Sequence, residues 1–470
     1  MKKALAHLEA HFGAYIRELE ALIRIPSVSF PGYDPALIAR SAEAVKALLE
    51  RSGFTRVAVH CDGGALPCVI GEYESGPSRP TVLLYAHHDV QPPMREECWL
   101  SPPFEPVTRR GRIYGRGSCD DKASVVAIAA MLSSLIQGEG ACPVNLKVLI
   151  EGEEEIGSPG LEALLREHRQ RLLADLMVVA DAGSVEVGHP ALTVSLRGMC
   201  SAVLTLRALK NPQHSGVWSG PIPDPAMGLV KMLSALCDEG GRPAFDATVP
   251  PPSPLMQPEL ESMRRLSGEG AARFREEAGL LPGVELLDRE DRILERIWRE
   301  SALTLTALEA GSLTKGGNVI QDVARARVSL RVPPGVPVNV AEAWLHRRLR
   351  ESLPWGLHLD IAGESSCEAW STDTSHPLLS LAKEALEEGY GHTADFIGCG
   401  ASIPVVETLS RHLGGVPAIL TASKDPLSLL HSENESQDLG DLKNEIRSLI
   451  LMMKKLASLS TAADRKQIHA

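Results

Sequence analysis

Apolar residues along this chain repeat at two different periods. Near the start, Leu8, Phe12, Ile16, Leu19 and Ile23 recur every three or four positions, the spacing of an amphipathic helix. Further on, unbroken apolar runs read as buried strands, and each runs into charge. They are PTVLLYAHHDV (80–90), VNLKVLIEGEEE (144–155) and DLMVVADAG (175–183). Between the first two lies the helical pattern DKASVVAIAAMLSSLI (121–136). Between the last two lies SPGLEALLREHRQRLLA, for which Ser158 is the expected N-cap and Pro159 the first helical residue. Strand and helix alternation predicts an α/β domain, with a mostly parallel central sheet flanked by helices.

The texture changes near residue 190. ALTVSLRGMCSAVLTLRAL alternates in the manner of a half-buried strand and breaks at KNPQHSGVWSGPIPDP. A polar, Pro-rich stretch occupies 240–300, and a second alternating run, ARARVSLRVPPGVPV, follows it. That pattern predicts an α+β domain. Helix and strand alternation resumes with HPLLSLAKEALEEGYG and GGVPAILTAS, and a helix from DLGDLKNEIRSLILMMKKLA closes the chain. The expected organisation is an α/β domain over 1–192 and 365–470, interrupted by an inserted domain over 193–364.

Composition narrows the function classes. A formal net charge of −12 disfavours binding to nucleic acid or to anionic membranes. No run approaches the roughly 18 apolar residues of a membrane span. The N-terminal segment has no continuous apolar core and reads as a helix rather than a signal peptide. Nine cysteines, scattered singly, match neither a disulfide framework nor a CxxC zinc site. A cytoplasmic protein with reduced thiols is expected.

Ligands in open α/β sheets bind beyond the carboxyl ends of the strands. Three polar clusters fall at such ends: His87-His88-Asp89, Glu153-Glu154-Glu155 and Asp181. A fourth, Asp120-Asp121, sits in the Gly-rich turn YGRGSCDDK before a helix. Each has a plain alternative: chance for HxD, a solvated face for EEE, an N-cap for Asp120, a turn cap for Asp181. Their succession in one domain points instead to a site for one or two divalent cations such as zinc, manganese or cobalt, since imidazole and carboxylate without thiolate suit these ions. A cation also turns the mutual repulsion of crowded carboxylates into attraction.

The ordered strings YAHHDVQP, WLSPPFEP with GRIYGRGSCDDK, EGEEEIGS, ADAG, HSG, GASIPV and HSENE resemble those of the M20 metallopeptidases, and most of all its dipeptidase and carnosinase branch. The resemblance runs from LIRIPSVS (22–29) to the final helix. It implies two cations, zinc first among the candidates. His87 and Asp181 would complete one metal site, Glu155 and His431 the other, and Asp120 would bridge both, with the Asp120–Asp121 peptide bond cis. Asp89 would orient His87, and Glu154 would be the general base. His214 would reach the active site of a partner subunit and stabilise the oxyanion, making a homodimer through the inserted lid domain a requirement of catalysis. Arg331 would bind the substrate's terminal carboxylate, with Asn318, His376 and Ser402 as further substrate contacts.

Some positions depart from the family pattern. CGASIP stands where many dipeptidases have EGGSIP, putting Cys399 near the substrate, and NVIQ replaces TVIP. His88, beside His87 on a strand, is expected to point away from the metals. The expected function is two-metal hydrolysis of dipeptides or short peptides with a free C-terminal carboxylate. The alternatives are an N-acyl-amino-acid deacylase or deacetylase of the same family and a non-catalytic binding protein on the same scaffold.

Overall fold

The computed structural model describes residues 1–267, 270–314 and 316–458. The chain divides into two compact units, one of Met1–Val194, Thr372–Ile397 and Pro404–Ala470, the other of Ser195–Ser371 and Gly398–Ile403.

A mixed sheet organises the first unit. Seven of its nine strands run in the order Thr55–His60, Cys68–Tyr73, Asn145–Glu151, Thr81–His87, Leu176–Val179, Ala418–Leu420, Ala191–Leu196. The middle four are parallel, and antiparallel strands flank them. Runs such as VLLYA and VLI are buried on both faces, as central parallel strands must be. Register then decides where the chemistry falls. His87 pairs with Glu151, Tyr85 with Val179, and Val179 with Leu420. Four chain segments therefore leave the sheet side by side at the same edge, carrying His87, Glu154 and Glu155, Asp181, and Lys424.

The helices Lys2–Ile23, Lys122–Glu139, Pro377–Tyr390 and Leu439–Ala457 share one apolar core with the sheet. Lys122–Glu139 is buried nearly all round, which its run of Ala and Val permits. At Gly138 a Cβ would lie 2.4 Å from the backbone nitrogen of Ala4, so glycine is what lets the N-terminal helix approach. Among the described residues no helix is long and apolar enough to cross a membrane.

One expected boundary is corrected. The helix after the acidic triplet is Leu161–Leu172, with Gly160 rather than Ser158 at its cap. Ser158 has φ 56°, left-handed, and its hydroxyl serves Glu151. The short 3-10 turn Glu154–Ile156 comes just before this point, and a turn at 159–160 stands where the helix was expected to begin.

The second unit is a four-stranded antiparallel sheet in the order Ala302–Glu309, Val323–Val332, Gly198–Arg207, His358–Cys367. Gly198–Arg207 and Val323–Val332 alternate buried and less buried positions, the mark of a sheet with one covered face. Helices Pro225–Ser234 and Val338–Glu351 contribute to that core, where Trp344 meets Phe245 edge-on at 4.6 Å. The polar stretch at 240–300 holds the short helices Gln257–Leu266, Gly270–Glu277 and Ile293–Arg299.

Candidate metal centre

Ionisable residues converge at the carboxyl edge of the first unit's sheet. Two sets of three offer one donor atom each, the atoms of a set lying within 4.8 Å of one another: His87 with Asp120 and Asp181, and Asp120 with Glu155 and His431. Asp120 belongs to both. Its Oδ1 lies 3.1 Å from His87 Nε2, and its Oδ2 lies 3.1 Å from His431 Nε2. His431 Nε2 is also 3.3 Å from Glu155 Oε2. His87 is fully buried, Asp120 and Asp181 are almost so, and the His431 side chain is about half exposed at 55%.

Asp89 fixes two things at once. Its Oδ1 lies 3.4 Å from His87 Nδ1, whose hydrogen bond at 3.1 Å goes to the Asp89 carbonyl. Its carboxylate also accepts from the backbone nitrogens of Glu154 and Glu155 at 3.2 and 3.0 Å, tying the acidic turn to the imidazole. His88 turns the other way: its Nε2 is 2.8 Å from the Pro67 carbonyl, and burial pushes its pKa down to about 4.

The loop carrying Asp120 is held by a residue to which the sequence reading gave no task. Glu435 accepts from the backbone nitrogens of Gly117, Cys119 and Asp120 at 3.0, 2.9 and 2.9 Å, and from Arg116 Nη1 at 2.7 Å. It stands inside the string HSENE, so its position was in view while its task was not. The Asp120–Asp121 peptide bond is cis. Gln91 Nε2 donates to Glu155 Oε2 at 2.7 Å, another contact the sequence did not single out.

Crowding sets the electrostatics. Burial, then the charges of Asp181 and Glu155, push the Glu154 carboxyl well above the usual range despite the opposing pull of His87. Burial and Asp120 do the same to Glu155. Burial alone would lift Asp120 too, but the Lys424 ammonium and the hydrogen bonds of His431 and His87 hold it well below. For His87 burial would favour the neutral ring, yet the hydrogen-bonded Asp120 and Asp89 outweigh it and raise the imidazole well above its ordinary value. Glu155 Oε1 and Asp121 Oδ1 are buried without a hydrogen-bond partner. Carboxylates in excess of donors, with orphaned oxygens among them, fit divalent cations, and the imidazole and carboxylate donors suit zinc, manganese or cobalt.

Lys424 is the residue the sequence reading missed altogether. It is 6% exposed, donates to Asp120 Oδ1 at 2.7 Å and closely to Asp181 Oδ1, and lies 3.7 Å from Asp121 Oδ1. In sequence, SKDP reads as a solvated turn.

The remaining expected residues sit elsewhere in the two units. In the first, His376 caps the helix Pro377–Tyr390, its Nδ1 accepting from the Leu378 nitrogen at 3.2 Å. In the second, His214 is exposed in a two-residue strand that pairs with Val319, next to Asn318, whose carbonyl accepts from the Ser215 nitrogen at 2.8 Å. Arg331 Nη1 donates to Ser402 Oγ at 2.8 Å, and Ser402 donates onward to the Arg197 carbonyl at 2.6 Å. Ser402 thus holds the guanidinium in place.

Comparison with known proteins agrees with this chemistry. The model of peptidase family M20/M25/M40 matches residues 83–455. A cysteinylglycine-S-conjugate dipeptidase of Corynebacterium striatum is 31% identical over 404 residues, covering 85% of this chain and 86% of that protein. The human beta-Ala-His dipeptidase is 27% identical over 468 residues, 93% of this chain and 88% of its own. In fold, the crystal structure of human carnosine dipeptidase 1 superposes with a TM-score of 0.82 at 24% identity, covering 97% of this chain and 99% of that one. An M20 family metallo-carboxypeptidase from Sulfolobus solfataricus gives a TM-score of 0.84 at 23% identity, over 95% and 99% of the two chains.

Proposed function

This chain belongs to peptidase family M20/M25/M40, and on that premise we propose that it hydrolyses the peptide bond of dipeptides or similarly short peptides with a free C-terminal carboxylate. The observation that carries the reading is the pair of donor sets sharing Asp120, with the Glu154 carboxyl at the same sheet edge. His87, Asp120 and Asp181 would hold one divalent cation, and Asp120, Glu155 and His431 the other, with zinc the first choice and manganese or cobalt also suited. Divalent ions held there would polarise a substrate carbonyl and acidify a water.

The rest is work for the chain's own side chains. Glu154 takes the proton of the attacking water and delivers it to the departing amine. Its elevated affinity for a proton, set by burial, suits a group that must both accept and return one. Asp89 holds His87 in one ring orientation and ties the Glu154–Glu155 turn to it by accepting from both amides. Arg331, steadied by Ser402, is assigned to the substrate carboxylate, for which a guanidinium fork is well shaped. His214 is assigned to the oxyanion, and Asn318, His376 and Ser402 to further contacts with the substrate. The assembly we propose is a cytoplasmic homodimer formed through the second unit. Exposed apolar side chains there support it: Val217, Trp218, Met227 and Val230 are 68%, 47%, 58% and 53% exposed.

The test is a panel of dipeptides assayed beside N-acetyl amino acids, with metal content measured before and after chelation. Cleavage of dipeptides that chelation abolishes and metal restores is the expected result. A preference for N-acetyl amino acids would move the chain to the deacylases. Chelator-insensitive protein with no bound metal would overturn the reading.

A further inference from the structure

One cation is already present at the centre, and it belongs to the chain. The Lys424 ammonium stands between Asp120 Oδ1 and Asp181 Oδ1, the oxygens of the His87–Asp120–Asp181 set that lie 3.1 and 3.8 Å from His87 Nε2. Among the described residues no lysine or arginine enters the other set, where Asp120 turns its second oxygen toward His431 and the neutral Gln91 amide donates to Glu155. Lys424 is also fixed from behind. Its backbone bridges in parallel to Gly183, and its carbonyl accepts from both the nitrogen and the hydroxyl of Ser184 at 2.7 and 3.2 Å. The neighbouring Asp425 is anchored by Arg112 Nη2 at 2.8 Å and caps the turn that follows. The side chain therefore enters the site from a braced stretch of backbone that leads directly off the strand Ala418–Leu420.

We propose that Lys424 is a built-in competitor for the His87–Asp120–Asp181 set, so that the two cation sites load unequally. This rests on the two-cation reading above. A divalent ion held by two carboxylate oxygens sits about 2.0–2.2 Å from each. An ammonium hydrogen-bonded to the same two oxygens occupies the space between them, and like charges at that distance repel strongly when buried. The set can accept an ion only after Lys424 swings aside and gives up two charge-assisted hydrogen bonds. The Asp120–Glu155–His431 set has no such cation to displace, its contact from the neutral Gln91 amide to Glu155 Oε2 being the weaker kind. It binds first and tightly, and the ion at the Lys424 set is the exchangeable one. In return, the ammonium keeps Asp120 and Asp181 compensated in protein that has not been loaded.

The test is equilibrium dialysis of the full chain against buffered zinc and, separately, manganese, with bound metal counted by elemental analysis. Wild type is expected to take up one ion tightly and a second weakly. Lys424→Gln removes the charge while keeping a donor of similar reach. It should tighten the weak step by about 10- to 100-fold, the range set by two lost charge-assisted bonds, and move the tight step by less than about threefold. Lys424→Arg, which keeps the charge, should preserve the inequality, and it covers the case in which the neutral variant does not fold. Two equal steps in wild type, or a weak step unchanged in Lys424→Gln, overturn the proposal and leave two-cation binding standing. Failure of both wild type and Lys424→Gln to bind a second ion overturns that reading and the proposal together.

Discussion

The acidic string EGEEE assigns different tasks to neighbouring carboxylates through where each one points. Glu151 accepts from the Tyr85 hydroxyl at 2.8 Å, and burial lifts it to about 7. Glu153 accepts from the nitrogens of Leu66 at 2.9 Å and of Gly160. Both are spent on structure, which leaves Glu154 and Glu155 for the site. Glu154→Gln keeps the shape of the side chain and removes its basicity. We expect bound metal unchanged and kcat lowered by at least about 100-fold, the lower end for loss of a general base. Elemental analysis beside steady-state kinetics checks it, and near-normal turnover would assign the base elsewhere. His431→Ala should do the opposite, losing one equivalent of bound metal, because His431 is the imidazole of the Asp120–Glu155–His431 set. Retention of both ions would remove His431 from the ligands.

At the scale of elements, the strand ends were the legible part. HHD, EEE and DAG each follow an apolar run, and parallel register alone brings such ends together. What the sequence hid was polar residues doing buried work. Lys424 in SKDP carries no periodic signal, and lysines are rarely buried. Glu435 differs from Glu433 only in which side of its loop it faces: Glu433 meets the exposed Arg95, whereas Glu435 takes three amides and Arg116. Ser158 had the right chemistry for a cap, but its left-handed backbone ruled it out. Glu435→Ala would strand the buried Arg116 charge and three amides, costing about 3–5 kcal/mol of stability in denaturant unfolding. A change below about 1 kcal/mol would mean the loop holds itself.

The helix Leu439–Ala457 makes a prediction of the same scale with a definite sign. Burial, helped by the charge of Asp441, raises Glu445 to about 8, against about 4.3 for an unfolded glutamate. The folded chain keeps this proton where the unfolded chain releases it. The stability it contributes is complete below about pH 4 and is lost as pH rises toward 8. Glu445→Gln removes that loss. It should gain on the order of 5 kcal/mol over wild type at pH 9 and nothing at pH 4, read from denaturant midpoints at the two pH values. An equal gain at both would mean packing rather than ionisation.

For the whole molecule, the division of labour between two units is the claim to test. The donor sets and Glu154 all belong to the first, whereas Arg331, Ser402, His214 and Asn318 belong to the second. The alternating strand VARARVSLRV made a sheet at Arg331 legible, but the pattern alone does not choose among its three arginines; only the family resemblance pointed to Arg331. Arg327 pairs with the exposed Glu364 at 2.8 Å, while Arg331 is braced by Ser402, and Arg325 is exposed. If Arg331 reads a terminal carboxylate, its effect must depend on whether the substrate has one. Wild type should cleave a dipeptide with a KM about 10- to 100-fold below that of the same dipeptide amidated at its C-terminus, the range of one charge-assisted pair. Arg331→Ala should raise KM for the free acid toward that of the amide and leave the amide's own KM nearly unchanged. Arg327→Ala should alter neither. Losing binding equally for both substrates would show that Arg331 supports the fold of its sheet and does not touch the carboxylate, because a structural defect cannot distinguish an acid from its amide.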